Sequence, residues 1–125
     1  MNKIFKVGLI GCGHISETYF RAQEYFNNIR IVKCADINMD AAKKCSIHYN
    51  IEAVTVEELL KDKEIEIILN LTIPGAHYKV SKMALENGKH SYAEKPLAIK
   101  FEDGKELLEI SKNRKLYLGM HLIPF

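Results

Sequence analysis

The run Gly11-Cys12-Gly13-His14-Ile15-Ser16 offers the first recognisable chemistry in this chain. A glycine at the first position permits a tight turn. A glycine at the third lets the backbone come close to an anion, and the N–H groups opening a following helix would face it. The pattern is G-x-G-x-x-G with Ser16 in the last place, where a small residue keeps helix and strand close. A diphosphate is the anion such a loop cradles, with His14 and Ile15 contributing through their backbone. Taken alone the loop has other readings, because glycine-rich turns also serve as plain structure and methyltransferases carry similar ones. Asp36 supplies the second piece. It ends the next apolar run, at the spacing where a carboxylate accepts from both hydroxyls of an adenosine ribose. Loop and acid together predict a dinucleotide, with Asn38 close to it. A 2′-phosphate would meet negative charge at Asp36, and neither Ile37 nor Asn38 brings a cation. The expected cofactor is therefore NAD, with NADP the lesser candidate. The competing role for Asp36 is a turn or helix-capping aspartate.

These residues need elements to hold them. Phe5–Ile10 is short, apolar and bounded by glycine, as a buried parallel strand is. Ile15–Phe26 places Ile15, Tyr19, Ala22 and Phe26 at helical spacing. Ile29–Ala35 is a second strand, and Asn38 can cap a helix through Ala41, Ala42 and Cys45. Ala53-Val54 is a short third strand. Thr55 and Glu58 have capping-box spacing at the head of a short helix through Leu59 and Leu60. Ile65–Leu71 should be a central strand. Ala76–Glu86 reads as a helix stopped at Asn87-Gly88. His90–Ala93, a helix over Phe101–Lys112 with Leu107, Leu108 and Ile110 on or near its inner face, and a strand over Leu116–Gly119 complete the pattern. Strict alternation predicts an α/β fold: a doubly wound parallel sheet of about six strands with helices on both faces.

In that plan the ligand crevice opens between the carboxyl ends of the first and fourth strands. Thr72, Ile73 and Pro74 follow the fourth strand, so they should line the crevice, chiefly through backbone. A proline-fixed turn is compatible with the same residues. Further on, Glu94-Lys95-Pro96 follows the fifth strand. Three landmarks occur in order: the glycine loop; Thr72-Ile73-Pro74 with His77 and, behind it, Ala84-Leu85-Glu86-Asn87-Gly88-Lys89-His90; and Glu94-Lys95-Pro96. On these, from about Lys6 to about Gly119, the chain resembles the N-terminal domain of the glucose–fructose oxidoreductase and inositol dehydrogenase (Gfo/Idh/MocA) family.

The resemblance implies a Rossmann domain of an NAD-dependent oxidoreductase that moves hydride to or from a sugar, polyol or related hydroxyl compound. It implies that Lys95 sits beside the nicotinamide and binds or polarises the substrate, that Glu94 contacts the nicotinamide ribose region, and that His77 lies near the cofactor crevice. A cation near the carbinol oxygen would favour the developing alkoxide as hydride leaves. The Lys95–Pro96 bond is open to the cis form. The plainer alternatives are a solvated surface lysine at 95 and a histidine without catalytic duty at 77.

The family continues well past this length, into a domain that walls the substrate pocket and carries an aspartate and a histidine one helical turn apart. No such pair is present. The expectation is a cofactor domain over residues 1–120, with 121–125 beginning the connection to an absent substrate domain, and little turnover from this chain alone. Family members also carry an arginine soon after the last strand, whereas none follows Arg114 here, so substrate preference does not transfer. His121 reads as a strand-end histidine. An uncovered apolar surface would leave self-association open. A stand-alone NAD-binding sensor is the second functional reading, one that needs the loop and Asp36 but not Lys95. A methyltransferase would explain the loop and not Glu94-Lys95-Pro96.

Composition narrows the rest. The chain has 125 residues, 47% hydrophobic and 27% charged, with a formal net charge of +2. That is enough for one core, and it gives no electrostatic argument for nucleic acid or a membrane as partner. Cys12, Cys34 and Cys45 are an odd number with no metal-ligand spacing. They are expected as reduced thiols with no metal, Cys12 being the one open to oxidation. The opening Met1-Asn2-Lys3-Ile4-Phe5-Lys6 has no secretory pattern, so a cytoplasmic location is the default.

Overall fold

The computed structural model describes residues 3–25 and 27–121. The strands are β1 (Phe5–Ile10), β2 (Ile29–Ala35), β3 (Glu52–Ala53), β4 (Ile67–Asn70), β5 (His90–Glu94) and β6 (Leu118–His121). The helices are α1 (Ile15–Ala22), α2 (Met39–Tyr49), α3 (Val56–Lys61), α4 (Pro74–Glu86) and α5 (Phe101–Arg114). All strand pairs are parallel, and the sheet order is β3-β2-β1-β4-β5-β6. The order reverses direction between β1 and β4, which makes their carboxyl ends the switch point where open α/β sheets bind ligands.

Two apolar layers sandwich the sheet. Val7, Leu9, Ile31 and Leu69 pack with Phe20 and Cys45, from α1 and α2. Ile10, Ala35 and Ile68 pack with Leu59, Leu60, Val80 and Ala84, from α3 and α4. Phe20 stacks on Tyr49 with ring centroids 3.7 Å apart, which ties α1 to α2. Beside α1 an apolar hollow of about 350 Å³ is lined in part by Tyr19, Ile67, Leu69 and Tyr92.

Capping matches the sequence closely. Asn38 Oδ1 accepts from the Asp40 and Ala41 amides at 3.0 and 3.4 Å, opening α2. Thr55 and Glu58 form the expected reciprocal box at α3. Gly88, at φ +77°, ends α4 while its amide reaches back to Leu85.

The differences have local causes. The first helix becomes a 3₁₀ turn at Gln23–Tyr25, and Phe26 lies outside the described residues. The third strand is Glu52–Ala53 rather than Ala53-Val54. β4 starts later than Ile65 because the Ile65 amide turns back to the Asp62 carbonyl. β6 starts at Leu118 because Leu116 still donates to Ser111, closing α5 around a left-handed Lys115. α4 begins earlier than Ala76, with Pro74 in the first helical turn, where its fixed φ and missing N–H cost nothing. On α5 Leu107 is buried, Ile110 is half-buried, and Leu108 faces outward at 56% exposure. No described helix is long and apolar enough to cross a membrane.

Candidate dinucleotide site

Gly11 leaves β1 with φ +104°, a conformation that L side chains rarely adopt. A Cβ there would lie 2.5 Å from the Leu71 carbonyl oxygen, so the exits of β1 and β4 touch at this point. The Gly11 amide donates to Ala35 O and the Leu71 amide to Ile10 O, fixing three strand ends together. Gly13 is different. It is exposed, has no positive φ, and a Cβ on it would meet nothing within 4 Å. The fold requires glycine at 11 and does not require it at 13.

His14 caps α1 with helical backbone angles and without a side-chain bond. The Ser16 amide and hydroxyl both turn back to Gly13 O, and the Glu17 amide to His14 O. Ser16 therefore fits the third loop position by folding its hydroxyl inward. Among the described residues, nothing accepts from the N–H groups of Gly13, His14 and Ile15. Three donors thus stand at the positive end of a helix, an arrangement suited to an anion. The Ile15 side chain packs inward against the α1–α2 layer.

Asp36 is half-buried at the end of β2. Its Oδ2 accepts from the Cys12 amide and its Oδ1 from the Asn38 amide, both at 2.8 Å. The acid and the glycine loop are thus joined directly, and each carboxylate oxygen keeps a second lone pair for another donor. The turn-capping role thus leaves acceptor capacity free on the same side chain. Asn38 is committed on both sides, its amide to Asp36 and its side-chain oxygen to α2.

On the β4 side a buried polar network sets the loop. Asn70 is fully buried. Its Nδ2 donates to His77 O and Ser81 Oγ, both at 2.9 Å, and its Oδ1 accepts from Thr72 Oγ1 at 2.6 Å. His77 is 1% exposed. Its Nδ1 lies 2.5 Å from Pro96 O and its Nε2 2.6 Å from Thr72 O. Sequence reasoning counted His77 among cofactor contacts. The structure buries its ring between the carbonyls of the two loops, where the one N–H of a neutral imidazole donates to one of them, so His77 links the β4 exit to the β5 exit. Ile73 and Pro74 are exposed at the rim.

The β5 exit carries Glu94, Lys95 and Pro96, with a cis Lys95–Pro96 bond. Lys95 is exposed, and no described residue pairs with its ammonium. Glu94 Oε1 accepts from Tyr19 Oη at 2.5 Å, across from α1. Burial first, and then the Glu94 carboxylate, push the Tyr19 hydroxyl above the usual phenol range. It therefore stays protonated and keeps donating. Tyr19→Phe should cost about 1 kcal/mol in chemical denaturation, because a charged acceptor in a part-buried place loses its donor. An unchanged denaturation midpoint would show that water replaces the phenol at no cost.

Gly11, Gly13, Asp36, the Thr72 loop and Glu94-Lys95 are therefore gathered at one end of the sheet. Sequence reasoning missed Asn70 and the Tyr19–Glu94 bond. Asn70 did carry a signal, as the polar residue inside the most apolar strand. A separate cleft at the opposite end of β4 and β5 includes Lys89, whose ammonium is occupied by the Asp62 and Ile65 carbonyls at 2.6 and 2.8 Å. Burial lowers that lysine below its ordinary range, and its role is to pin a turn. The side chain of His121 and all of residues 122–125 lie outside the described residues, so the expected interdomain connection does too.

Comparison with known proteins agrees with this geometry. The model of the Gfo/Idh/MocA group, described as an oxidoreductase family with an NAD-binding Rossmann fold, matches residues 5–121. The inositol 2-dehydrogenase/D-chiro-inositol 3-dehydrogenase of Lactiplantibacillus plantarum is 30% identical over 116 residues, which cover 90% of this chain and 32% of that one. A solved dehydrogenase (MviM) from Clostridium difficile superposes with a TM-score of 0.85 at 29% identity, covering 94% of this chain and 39% of that one. KijD10, a 3-ketoreductase from Actinomadura kijaniata solved with NADP and TDP-benzene, gives a TM-score of 0.87 at 26% identity, covering 95% and 37%. The chain spans about a third of the length of the curated relatives it matches.

Proposed function

Because this chain belongs to the Gfo/Idh/MocA oxidoreductase family, we propose that it binds NAD as the cofactor-holding part of an enzyme that transfers hydride to or from a hydroxyl-bearing carbon. The observation that carries the reading is Gly13: a glycine the fold does not need, in front of three N–H groups with no acceptor among the described residues. Such a residue fits a backbone that a diphosphate must approach closely.

In this reading the Gly13, His14 and Ile15 amides hold the diphosphate, and Asp36 accepts from the adenosine ribose hydroxyls. The Thr72-Ile73-Pro74 rim meets the cofactor through its backbone. Glu94 faces the nicotinamide ribose, oriented by Tyr19, while His77 acts at one remove by joining the two loops. Lys95 aims a cation at the reacting oxygen, where it would stabilise developing alkoxide charge. Bound NAD supplies the hydride acceptor, or in its reduced form the donor. The ammonium of Lys95, without a partner among the described residues, favours the enzyme over a sensor without chemistry, which would have no use for a cation there. The relatives are about three times longer, and the hydroxyl substrate, of the sugar or polyol class, is assigned to a pocket completed outside these 125 residues.

Dissociation constants for NAD and NADP test the assignment. NAD is expected to bind more tightly, because a 2′-phosphate would face the Asp36 carboxylate. Asp36→Ala should weaken NAD about tenfold, the value of one hydrogen bond to a charged group, and should weaken NADP less. Since Asp36 also holds the Cys12 amide, damage to the loop alone would reduce both affinities equally. An unchanged NAD-to-NADP ratio in the variant would therefore remove Asp36 from ribose recognition.

A further inference from the structure

Cys12, Cys34 and Cys45 have no motif spacing, yet the fold brings them together. Their three sulfur atoms all lie within 4.8 Å of one another. Cys12 comes from the glycine loop, Cys34 from β2 and Cys45 from α2, and all three are free thiols. We propose that these three thiols form a binding site for a soft, thiophilic metal ion, with Cu(I) as the ion that suits it.

Geometry and ligand chemistry support that choice. Three sulfurs around one ion at about 2.3 Å stand about 4 Å apart, so small side-chain rotations close the trio. The existing hydrogen bonds oppose this weakly. The Cys12 thiol reaches Ala35 O at 3.6 Å and the Cys34 thiol Ala42 O at 3.5 Å, long contacts from poor donors. Thiolate ligands select soft ions, and three sulfurs with no fourth side-chain ligand in the group among the described residues match Cu(I) better than tetrahedral Zn(II). Entry is available as well. A cavity of about 530 Å³ between the start of α1 and the length of α2 is lined by Cys12 and Cys45, together with Gly13, Ala41 and Lys44.

The step is ligand exchange without redox change. Each thiol that ligates loses its proton to solvent, a metal–sulfur bond forms, and copper remains monovalent. The site stands independently of the dinucleotide reading, since its ligands are sulfurs and its readout needs no cofactor.

The test titrates Cu(I) into the reduced 125-residue chain without oxygen, against a chromogenic Cu(I) chelator, and counts sulfur neighbours by X-ray absorption at the copper edge. One Cu(I) per chain with three sulfurs at about 2.3 Å is expected. Cys34→Ser should weaken binding by about 100-fold or more, beyond what loss of an outer-shell partner costs. Should that buried change unfold the chain, Cys12→Ala at the half-buried loop position reads the same loss. Two or fewer sulfurs on copper in the unaltered chain, or affinity unchanged in Cys12→Ala, would overturn the site.

Discussion

Gly11→Ala is expected to remove about 2–6 kcal/mol of folding stability, read as a fall in the chemical-denaturation midpoint. Two costs add. A side chain at φ +104° is held in a sparsely populated region, at about 1–3 kcal/mol. The new methyl also meets backbone rather than a movable side chain, the Leu71 carbonyl oxygen at 2.5 Å and its carbon at 2.6 Å, and overpacking of this kind costs about 1–3 kcal/mol more. The carbonyl cannot swing away freely, because the adjoining Leu71 and Thr72 amides are tied to Ile10 and Asn70. Against a whole-domain stability of about 5–15 kcal/mol, a change of that size leaves much of the chain unfolded under mild stress. A midpoint within experimental error of the unaltered protein would mean that β1 and β4 do not meet at Gly11 as described.

Gly13→Val is expected to behave in the opposite way. Stability should stay within about 0.5 kcal/mol of the unaltered chain, as for an exposed position without packing partners. NAD affinity should fall about 100-fold or more. A branched side chain in front of α1 keeps a diphosphate away from the Gly13, His14 and Ile15 amides. Losing even two charge-assisted hydrogen bonds, at about 1.5–3 kcal/mol each, amounts to at least about 3 kcal/mol. The pair of glycine variants separates the two jobs in one loop, with fold at 11 and ligand at 13. Retained NAD affinity in Gly13→Val would remove the diphosphate from the α1 terminus, whatever the family of the chain.

Much of this was legible in the sequence because the signals are local. The alternation of elements, the Asn38 and Thr55 caps and the Gly88 stop all depend on residues within a few positions of one another. The glycine loop and Asp36 are separated by one helix, and the crossover that joins them has a nearly fixed length. What was hidden depends on long-range meeting. Tyr19 and Glu94 are 75 residues apart, and Tyr19 looked like one more apolar-face aromatic. His77 reads as a polar residue beside a crevice until its buried ring is found between carbonyls of two loops. The thiol trio is invisible to spacing rules because its members lie on a loop, a strand and a helix. At Ile65 and Leu116 the boundaries shifted because backbone bonds turned the chain there.

The central claim is that backbone amides at the start of α1 hold the diphosphate of a dinucleotide while Asp36 holds its ribose. Amide-resolved NMR during titration with NAD reads those groups directly. The account predicts that the Gly13, His14 and Ile15 amide resonances move most, together with Asp36 and its neighbour Ile37. Shifts confined to other surfaces, or no shifts at saturating NAD in folded protein, would contradict it.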